Sequence, residues 1–328
     1  MIKNKILSGK NISTVILLNI FLVFCSSHCV KAQEHSIRPG FSVEFKNNVC
    51  PYNVTGVFVM PGEILEFRID GKDKTDLKYT IKASTGNLQY ISSGAWKWTA
   101  PKSKGLYEIE ITETGTAKSI LMNVFVMVPR KEKKGEYLNG YRIGYYEKIA
   151  LKGLAIYQIP EGFIEVTKEN QDTLLSPHFK LKQFICKQKS GYPKYMVLKE
   201  KLILKLEMVL EKLNEKGYKT DTIHTMSGYR TPYYNKAIGN VKYSRHLYGG
   251  AADIFIDENP KDGNMDDLNK DGRIDYHDAV IVYDIIDSMY GKEWYRIFHG
   301  GLGWYKKTKK HGPFVHVDVR GFRARWGD

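Results

Sequence analysis

Two rhythms of apolar positions divide the chain. Phe41-Ser42-Val43-Glu44-Phe45 alternates with period two, and so, less cleanly, does Ile64 to Ile69. Tyr107 to Ile111 alternates again, and Ile120 to Val128 is a longer apolar run. Turn signals stand between them: Pro61-Gly62, Asp70-Gly71, Thr85-Gly86-Asn87, Lys104-Gly105 and Thr114-Gly115. Short strands with turns roughly every 10 residues predict an all-β sandwich over 33–130. Trp96 and Trp98 lie two apart on one strand face and are expected in its core. From Tyr195 the rhythm changes. Leu198, Leu202, Leu206, Val209 and Leu213 recur at helical spacing, and Gly217 supplies the stop. Thr220 to Met226 reads as a strand, and Thr231-Pro232 as the cap and first turn of a helix through Ala237. Ala251 to Ile256 and Phe314 to Val319 are short apolar strands, with a helix from Tyr276 to about Tyr290 between them. Helix and strand mix without regular βαβ alternation, so 194–328 is expected to be an α+β domain. The charged break from Pro129 to Gly135 opens a linker and connecting region over 131–193.

The first residues follow a different logic. Lys3, Lys5 and Lys10 precede an apolar stretch from Val15 to Phe24, broken only by Asn19. Val30-Lys31-Ala32 then places small residues at the flank of a cut before Gln33. This predicts a signal peptide over 1–32 and a secreted, periplasmic or cell-envelope protein. No later apolar run reaches the roughly 18 residues a spanning helix needs, so no stable membrane span is expected after cleavage. The 328 residues carry 50 Lys+Arg against 36 Asp+Glu, a formal +14. Four lysines leave with the leader, giving 46 basic against 36 acidic residues and a net +10. Such a protein meets anionic envelope polymers. Basic blocks interleaved with aromatics are lacking, which argues against nucleic acid as a partner. Cys50 and Cys186 are too few for a disulfide framework.

The chemistry concentrates in Ser244-Arg-His246-Leu-Tyr-Gly249-Gly250-Ala251-Ala252-Asp253. The two glycines break any helix between His246 and Asp253, and Asp253 falls on the following strand. An imidazole and a carboxylate can then converge from a loop and a strand onto one ion. In Phe314-Val315-His316-Val317-Asp318-Val319, alternation puts His316 and Asp318 on one face. His316 is the candidate third ligand. Two imidazoles and one carboxylate leave the fourth position of a tetrahedral zinc open, the arrangement of catalytic rather than structural sites.

These residues resemble the zinc D-Ala-D-Ala peptidase family, with its hedgehog-like fold, whose shared pattern is Ser-x-His-x-x-Gly-x-Ala-x-Asp. Ser244, His246, Gly249, Ala251 and Asp253 fill every fixed position. Ser227-Gly228-Tyr229-Arg230-Thr231-Pro232 is similar to the arginine-bearing turn of that family, and His316-Val317-Asp318 with Arg320-Gly321 and Arg325-Trp326 to its carboxypeptidase branch. The resemblance implies zinc ligands His246, Asp253 and His316. It also implies hydrolysis of peptide bonds in peptidoglycan stem peptides, by a carboxypeptidase or endopeptidase. Zinc would acidify a water toward a pKa of ~7 and polarise the scissile carbonyl. Arg230 is the candidate to stabilise the oxyanion or hold a substrate carboxylate, and Ser244 to contact substrate or brace the turn. The first domain resembles small immunoglobulin-like modules attached to secreted enzymes.

One departure stands out. Relatives carry an acid three residues before the third ligand or a His two before it, where this chain has Pro313 and Phe314. Asp318 is therefore the expected acid/base, with orientation of His316 or pairing with Arg320 or Arg323 as its other roles. His299 and His311 are held in reserve. The alternative function is a zinc-containing peptidoglycan- or peptide-binding module without efficient turnover. Separately, Asp267, Asn269, Asp271, Asp275 and Asp278, with the Arg273 carbonyl, fit the ligand positions of a calcium loop over 267–278, and Gly272 fits its turn. A structural calcium is expected there, in a form closer to dockerin than to a calmodulin sensor.

Overall fold

Alternation along β4 (Ile64–Asp70) decides how the N-terminal part packs: Leu65, Phe67 and Ile69 point inward while Ile64, Glu66 and Arg68 face out. The computed structural model describes residues 37–70 and 79–327, so the expected leader over 1–32 lies outside the described residues. The other strands of this part are β1 (Ser42–Phe45), β2 (Asn48–Cys50), β3 (Val54–Val59), β5 (Tyr79–Ala83), β6 (Asn87–Ser92), β7 (Ala95–Thr99), β8 (Gly105–Glu113) and β9 (Ser119–Val126). They form a five-stranded sheet, β2-β1-β4-β7-β6, and a four-stranded sheet, β3-β9-β8-β5. Every pairing is antiparallel except the parallel β3–β9 pair. Buried residues of both sheets join one apolar cluster, Trp96 and Trp98 among them.

Residues 131–193, expected as linker and connection, are packed structure. They contribute β11 (Tyr137–Leu138), β12 (Tyr141–Arg142), β13 (Gly162–Val166), β14 (Leu174–Ser176) and β15 (Phe179–Lys180). Strand β13 pairs with β10 (Val128–Pro129) on one side and β16 (Lys194–Met196) on the other. Leu138, Tyr141, Ile143, Phe163, Leu175, Phe179 and Phe184 are buried in the same cluster as the N-terminal sheets. The strands are too short to show a period, which hides them from pattern reading.

The helix read from Leu198 to Leu213 is α1 (Glu200–Glu215), ended by Gly217 at φ 93°. It buries Leu202, Leu206, Val209 and Leu213. The remaining elements are β17 (His224–Ser227), α2 (Pro232–Ala237), β18 (Ala251–Phe255), α3 (Tyr276–Asp287), β19 (Gly301–Tyr305), β20 (Phe314–Asp318) and β21 (Ala324–Gly327). Thr231 caps α2, its hydroxyl accepting from Tyr234 N at 3.0 Å. One sheet, β17-β18-β20-β19-β21, carries the chemistry, with α3 packed on β19 and β20 and α1 against α3. Cys50 and Cys186 are buried free thiols. Among the described residues no helix is long and apolar enough to cross a membrane.

Candidate metal centre

The register of this sheet lines up one row of residues across all five strands. Ser227 stands opposite Asp253, Asp253 opposite His316, His316 opposite Gly303 and Gly303 opposite Trp326. Directly paired residues share a face, so the carboxylate and the second imidazole project together. Gly303 leaves its place on that face to the Trp326 indole, which a Cβ at 303 would overlap. The indole lies 5.3 Å from the His316 ring and donates to the Tyr305 hydroxyl at 2.8 Å.

His246 arrives from the 3₁₀ turn Arg245–Tyr248. The turn ends on Gly249 in the left-handed region, φ 64°, where a Cβ would collide with the Val197 and Leu198 backbone. His246 Nδ1 donates to the Gly228 carbonyl at 2.6 Å, which leaves the Nε2 lone pair facing the row. Nε2 lies 3.2 Å from Asp253 Oδ1 and 3.3 Å from His316 Nδ1, and His316 Nδ1 lies 2.9 Å from Asp253 Oδ1. All three residues are buried. Ligands at 2.0–2.1 Å around a tetrahedral zinc stand about 3.3 Å apart, so the three atoms already have the spacing of one face of that tetrahedron. Among the described residues this is the single group of three or more His, Cys, Asp or Glu side chains close enough to share an ion. The donor set fits zinc.

Neighbouring charges hold the three side chains in place. Burial opposes the Asp253 charge, yet the two imidazoles keep its carboxyl well below the usual range. Burial lowers the His246 pKa, which favours the neutral ligand form. Arg230 donates from Nη2 to Asp253 Oδ2 and from Nε to Ser227 Oγ, the latter at 2.8 Å. It is buried and two of its three nitrogens are already engaged. Ser244 is buried just before the His246 turn, its carbonyl accepting from Leu247 N at 3.1 Å.

Asp318 sits on the other side of His316. Its Oδ2 is 3.3 Å from His316 Nε2, the nitrogen turned away from the row. Arg320 grips the same carboxylate through Nε at 2.9–3.0 Å and Nη2 at 2.5 Å, and Gly301 N donates to Oδ1 at 2.8 Å. Burial raises the Asp318 pKa, but His316 and Arg320 outweigh it and hold the carboxyl well below its ordinary range. A saturated, fully buried carboxylate behind the ring is not placed to take a proton in front of it. Of the roles expected of Asp318, these contacts match orientation of His316 and pairing with Arg320. Neither reserve histidine bonds to the cluster: His299 stacks on Tyr290 at 4.5 Å and His311 Nδ1 bonds the Gly312 carbonyl.

In the 267–278 loop the side chains turn back on the backbone. Asp267 accepts from Asp271 N and Gly272 N, Asn269 from Asp271 N, and Asp271 from Arg273 N. Asp275 caps α3 through His277 N at 2.8 Å. Asp278 is buried and accepts from Leu268, Asn269 and Asp275 N–H groups. The loop is thus a set of Asx turns with a capping box, and its carboxylates do not gather as His246, Asp253 and His316 do.

Residues 177–275 match the family model Peptidase M15, which supports a zinc metallopeptidase domain in this part of the chain. The match takes in Arg230, His246 and Asp253 and stops short of His316, which the sheet register adds. It begins before residue 194, the expected domain boundary. No curated protein is matched. The crystal structure of titin M3 domain is similar over 97% of its own length and 26% of this chain, at 11% identity and a TM-score of 0.18, too slight to carry an argument.

Proposed function

We propose that the chain is a secreted zinc peptidase that hydrolyses peptide bonds of peptidoglycan stem peptides, of the D-Ala-D-Ala carboxypeptidase or endopeptidase type. The observation that carries this reading is the convergence of His246, Asp253 and His316 at zinc spacing, the first two within the region that matches Peptidase M15. The net +10 of the chain after residue 32 suits an anionic wall. Bound at this cluster, zinc supplies a Lewis acid that acidifies water and polarises a peptide carbonyl. The chain's own residues hold and orient. His246 is fixed by the Gly228 carbonyl, Asp253 by Arg230, and His316 by Asp318. Such outer partners set ligand orientation and basicity. Ser227, rather than Ser244, is the serine tied to this network, through Arg230.

The placement of Asp318 favours one second reading, a zinc-containing peptide-binding module without efficient turnover. Mass spectrometry of muropeptides after digestion, with and without chelator, separates the two. Chelator-sensitive release of fragments is expected. Tight binding of muropeptides without any release would establish the module instead. A structural calcium in the 267–278 loop belongs to the same reading, motivated by the spacing of Asp267, Asn269, Asp271, Asp275 and Asp278 along the sequence. Millimolar calcium should then raise the melting temperature of the zinc-loaded protein, and Asp271→Ala should erase the rise. An unchanged melting curve would leave the loop as a self-capped turn. We also propose that the two N-terminal sheets form an immunoglobulin-like sandwich module.

A further inference from the structure

Among the described residues the densest run of positive charge lies at one end of the metal-bearing sheet. Strands β19 and β20 stay paired from Leu302–Val317 to Tyr305–Phe314. Between Tyr305 and Phe314 the chain turns back through Lys306-Lys307-Thr308-Lys309-Lys310-His311-Gly312-Pro313. Thr308 N donates to the His311 carbonyl at 2.9 Å, and Lys310 N to the Thr308 hydroxyl at 3.1 Å, so the turn has hydrogen bonds of its own. Lys306 fixes its base. The ammonium lies 5.7 Å from the Tyr276 ring centre and 5.9 Å from that of Trp304, and the two rings stack at 5.2 Å. All four lysines are exposed.

The other cations beside this sheet are taken: Arg230 by Asp253, Arg320 by Asp318, and Arg323 and Arg325 by Asp287. The turn lacks such partners. No Asp or Glu occurs between Glu293 and Asp318. Among the described residues none of the four ammonium groups has an acidic partner. The turn thus concentrates four of the net ten positive charges within five residues. Such a cluster raises the local concentration of anions.

The chemistry of the turn defines its partner. Ammonium groups on flexible stems are hydrated point charges, suited to anionic groups spaced along a chain rather than to one bidentate anion. Among the described residues no exposed large apolar side chain lies between Ile297 and Phe322, so the turn has nothing to insert into a bilayer. Aromatic rings on which bases could stack are not interleaved with the lysines. The Tyr305–Phe314 pair stands two residues from the Gly303–His316 pair, about 7 Å along the strands. A polymer held at the turn is then close enough for its side branches to reach the metal row.

We infer that Lys306, Lys307, Lys309 and Lys310 form an electrostatic docking surface for the carboxylates of peptidoglycan, holding the polymer beside the metal cluster. The inference rests on the peptidase reading above and names how the insoluble substrate is retained. A soluble stem peptide needs only the metal face, whereas a sacculus, with carboxylates on many stems, engages the turn as well.

Lys307→Gln/Lys309→Gln/Lys310→Gln removes three charges and leaves Lys306 on its rings. Lys82→Gln/Lys168→Gln/Lys219→Gln removes three exposed charges from separate surfaces. Co-sedimentation of each zinc-loaded protein with peptidoglycan sacculi stripped of phosphodiester polymers reads docking directly. Wild type and the control triple should pellet at low salt and be released at high salt. The turn variant should bind about ten- to hundredfold more weakly, on the scale of electrostatic focusing. Carbodiimide amidation of the sacculus carboxylates should erase that difference. The ratio of the hydrolysis rate on sacculi to that on a soluble D-Ala-D-Ala peptide should fall in the turn variant and hold in the control. If neither substrate is cleaved, the peptidase reading fails, and sedimentation alone decides the docking surface. Equal pelleting of the turn variant and wild type, or a difference that survives amidation, would overturn the inference. So would wild-type retention only on sacculi that keep phosphodiester polymers, or only on anionic phospholipid vesicles.

Discussion

The division of labour is sharpest at single residues. Two carboxylates flank His316, one on each ring nitrogen, in different surroundings. Asp253 faces His246 and the open side of the row, whereas Asp318 is enclosed by Arg320 and Gly301 N. Removing a ligand should abolish the site: His246→Ala and His316→Ala are expected to lose stoichiometric zinc, as read by emission spectroscopy, and all hydrolysis with it. Full metal content in His316→Ala would show that the third ligand lies elsewhere. Asp318→Asn separates orientation from proton transfer. Loss of an outer partner typically weakens metal affinity by about 10- to 100-fold. The variant should therefore bind zinc more weakly in a chelator competition and recover hydrolysis at excess zinc. A variant that kept wild-type zinc affinity but lost turnover would return Asp318 to the acid/base role. His246, Asp253 and His316 were legible because a motif and a strand alternation carry them. The contacts of Asp318 with His316 and Arg320 were legible only as alternatives, and that of Arg230 with Asp253 not at all, because they depend on which ring nitrogen faces the row and on what already occupies the guanidinium.

At the scale of elements, long periodic segments were read well and short ones poorly. Helix α1 and strands β4, β18 and β20 each hold enough residues to show a period. Strands β11, β12, β14 and β15 have two or three residues each, and β17 is interrupted by a bulge. Glycine positions also hid their meaning: Gly303 looks ordinary in sequence, yet it makes room for Trp326 beside His316. Gly303→Ala should force the indole aside and destabilise the protein by roughly 1–3 kcal/mol, the usual range for overpacking. A denaturant midpoint equal to wild type would show that the indole shifts freely. A second element-level tie joins β14 and β15 to α1. Buried Glu207 on α1 accepts from Ser176 Oγ at 2.6 Å and pairs with His178 Nδ1. The hydrogen bond to Glu207 raises the His178 pKa above 6.5, with burial opposing. A raised folded-state pKa stabilises fully below the unfolded value and is lost as pH rises through the folded one. Wild type should therefore lose melting temperature relative to His178→Gln as pH climbs from about 6.5 into the alkaline range. Parallel pH profiles of the two proteins would show that the pair contributes no such linkage.

Across the whole molecule, the N-terminal sheets and the metal-bearing sheet behave as one packed body. The described residues from 37 onward form one compact unit, and a single apolar cluster runs from Phe41 to Val319. Polar ties cross between the parts as well. Phe58 N donates to Glu200 Oε1 at 3.1 Å, and Asn123 Nδ2 donates to the Leu174 carbonyl at 2.9 Å. Arg38 Nε and the Tyr52 hydroxyl both donate to Glu211 on α1, at 2.8 and 3.0 Å. Leu175 fills the space that a side chain at Gly56 would need. Removing residues before 131 would strip Glu200 and Glu211 of partners and expose the apolar surface of 138–184, a change far larger than severing two modules joined by a free tether. The full chain should therefore unfold in one cooperative transition. A fragment of 131–328 should lack a sharp melt and bind hydrophobic dye, even with zinc present. Gly56→Leu offers a gentler probe, because its side chain would push into Leu175 at the junction. It should lower the melting temperature of the single transition without splitting it. Two separated transitions in wild type, one shifted by zinc and one blind to it, would show instead that the N-terminal sheets fold independently.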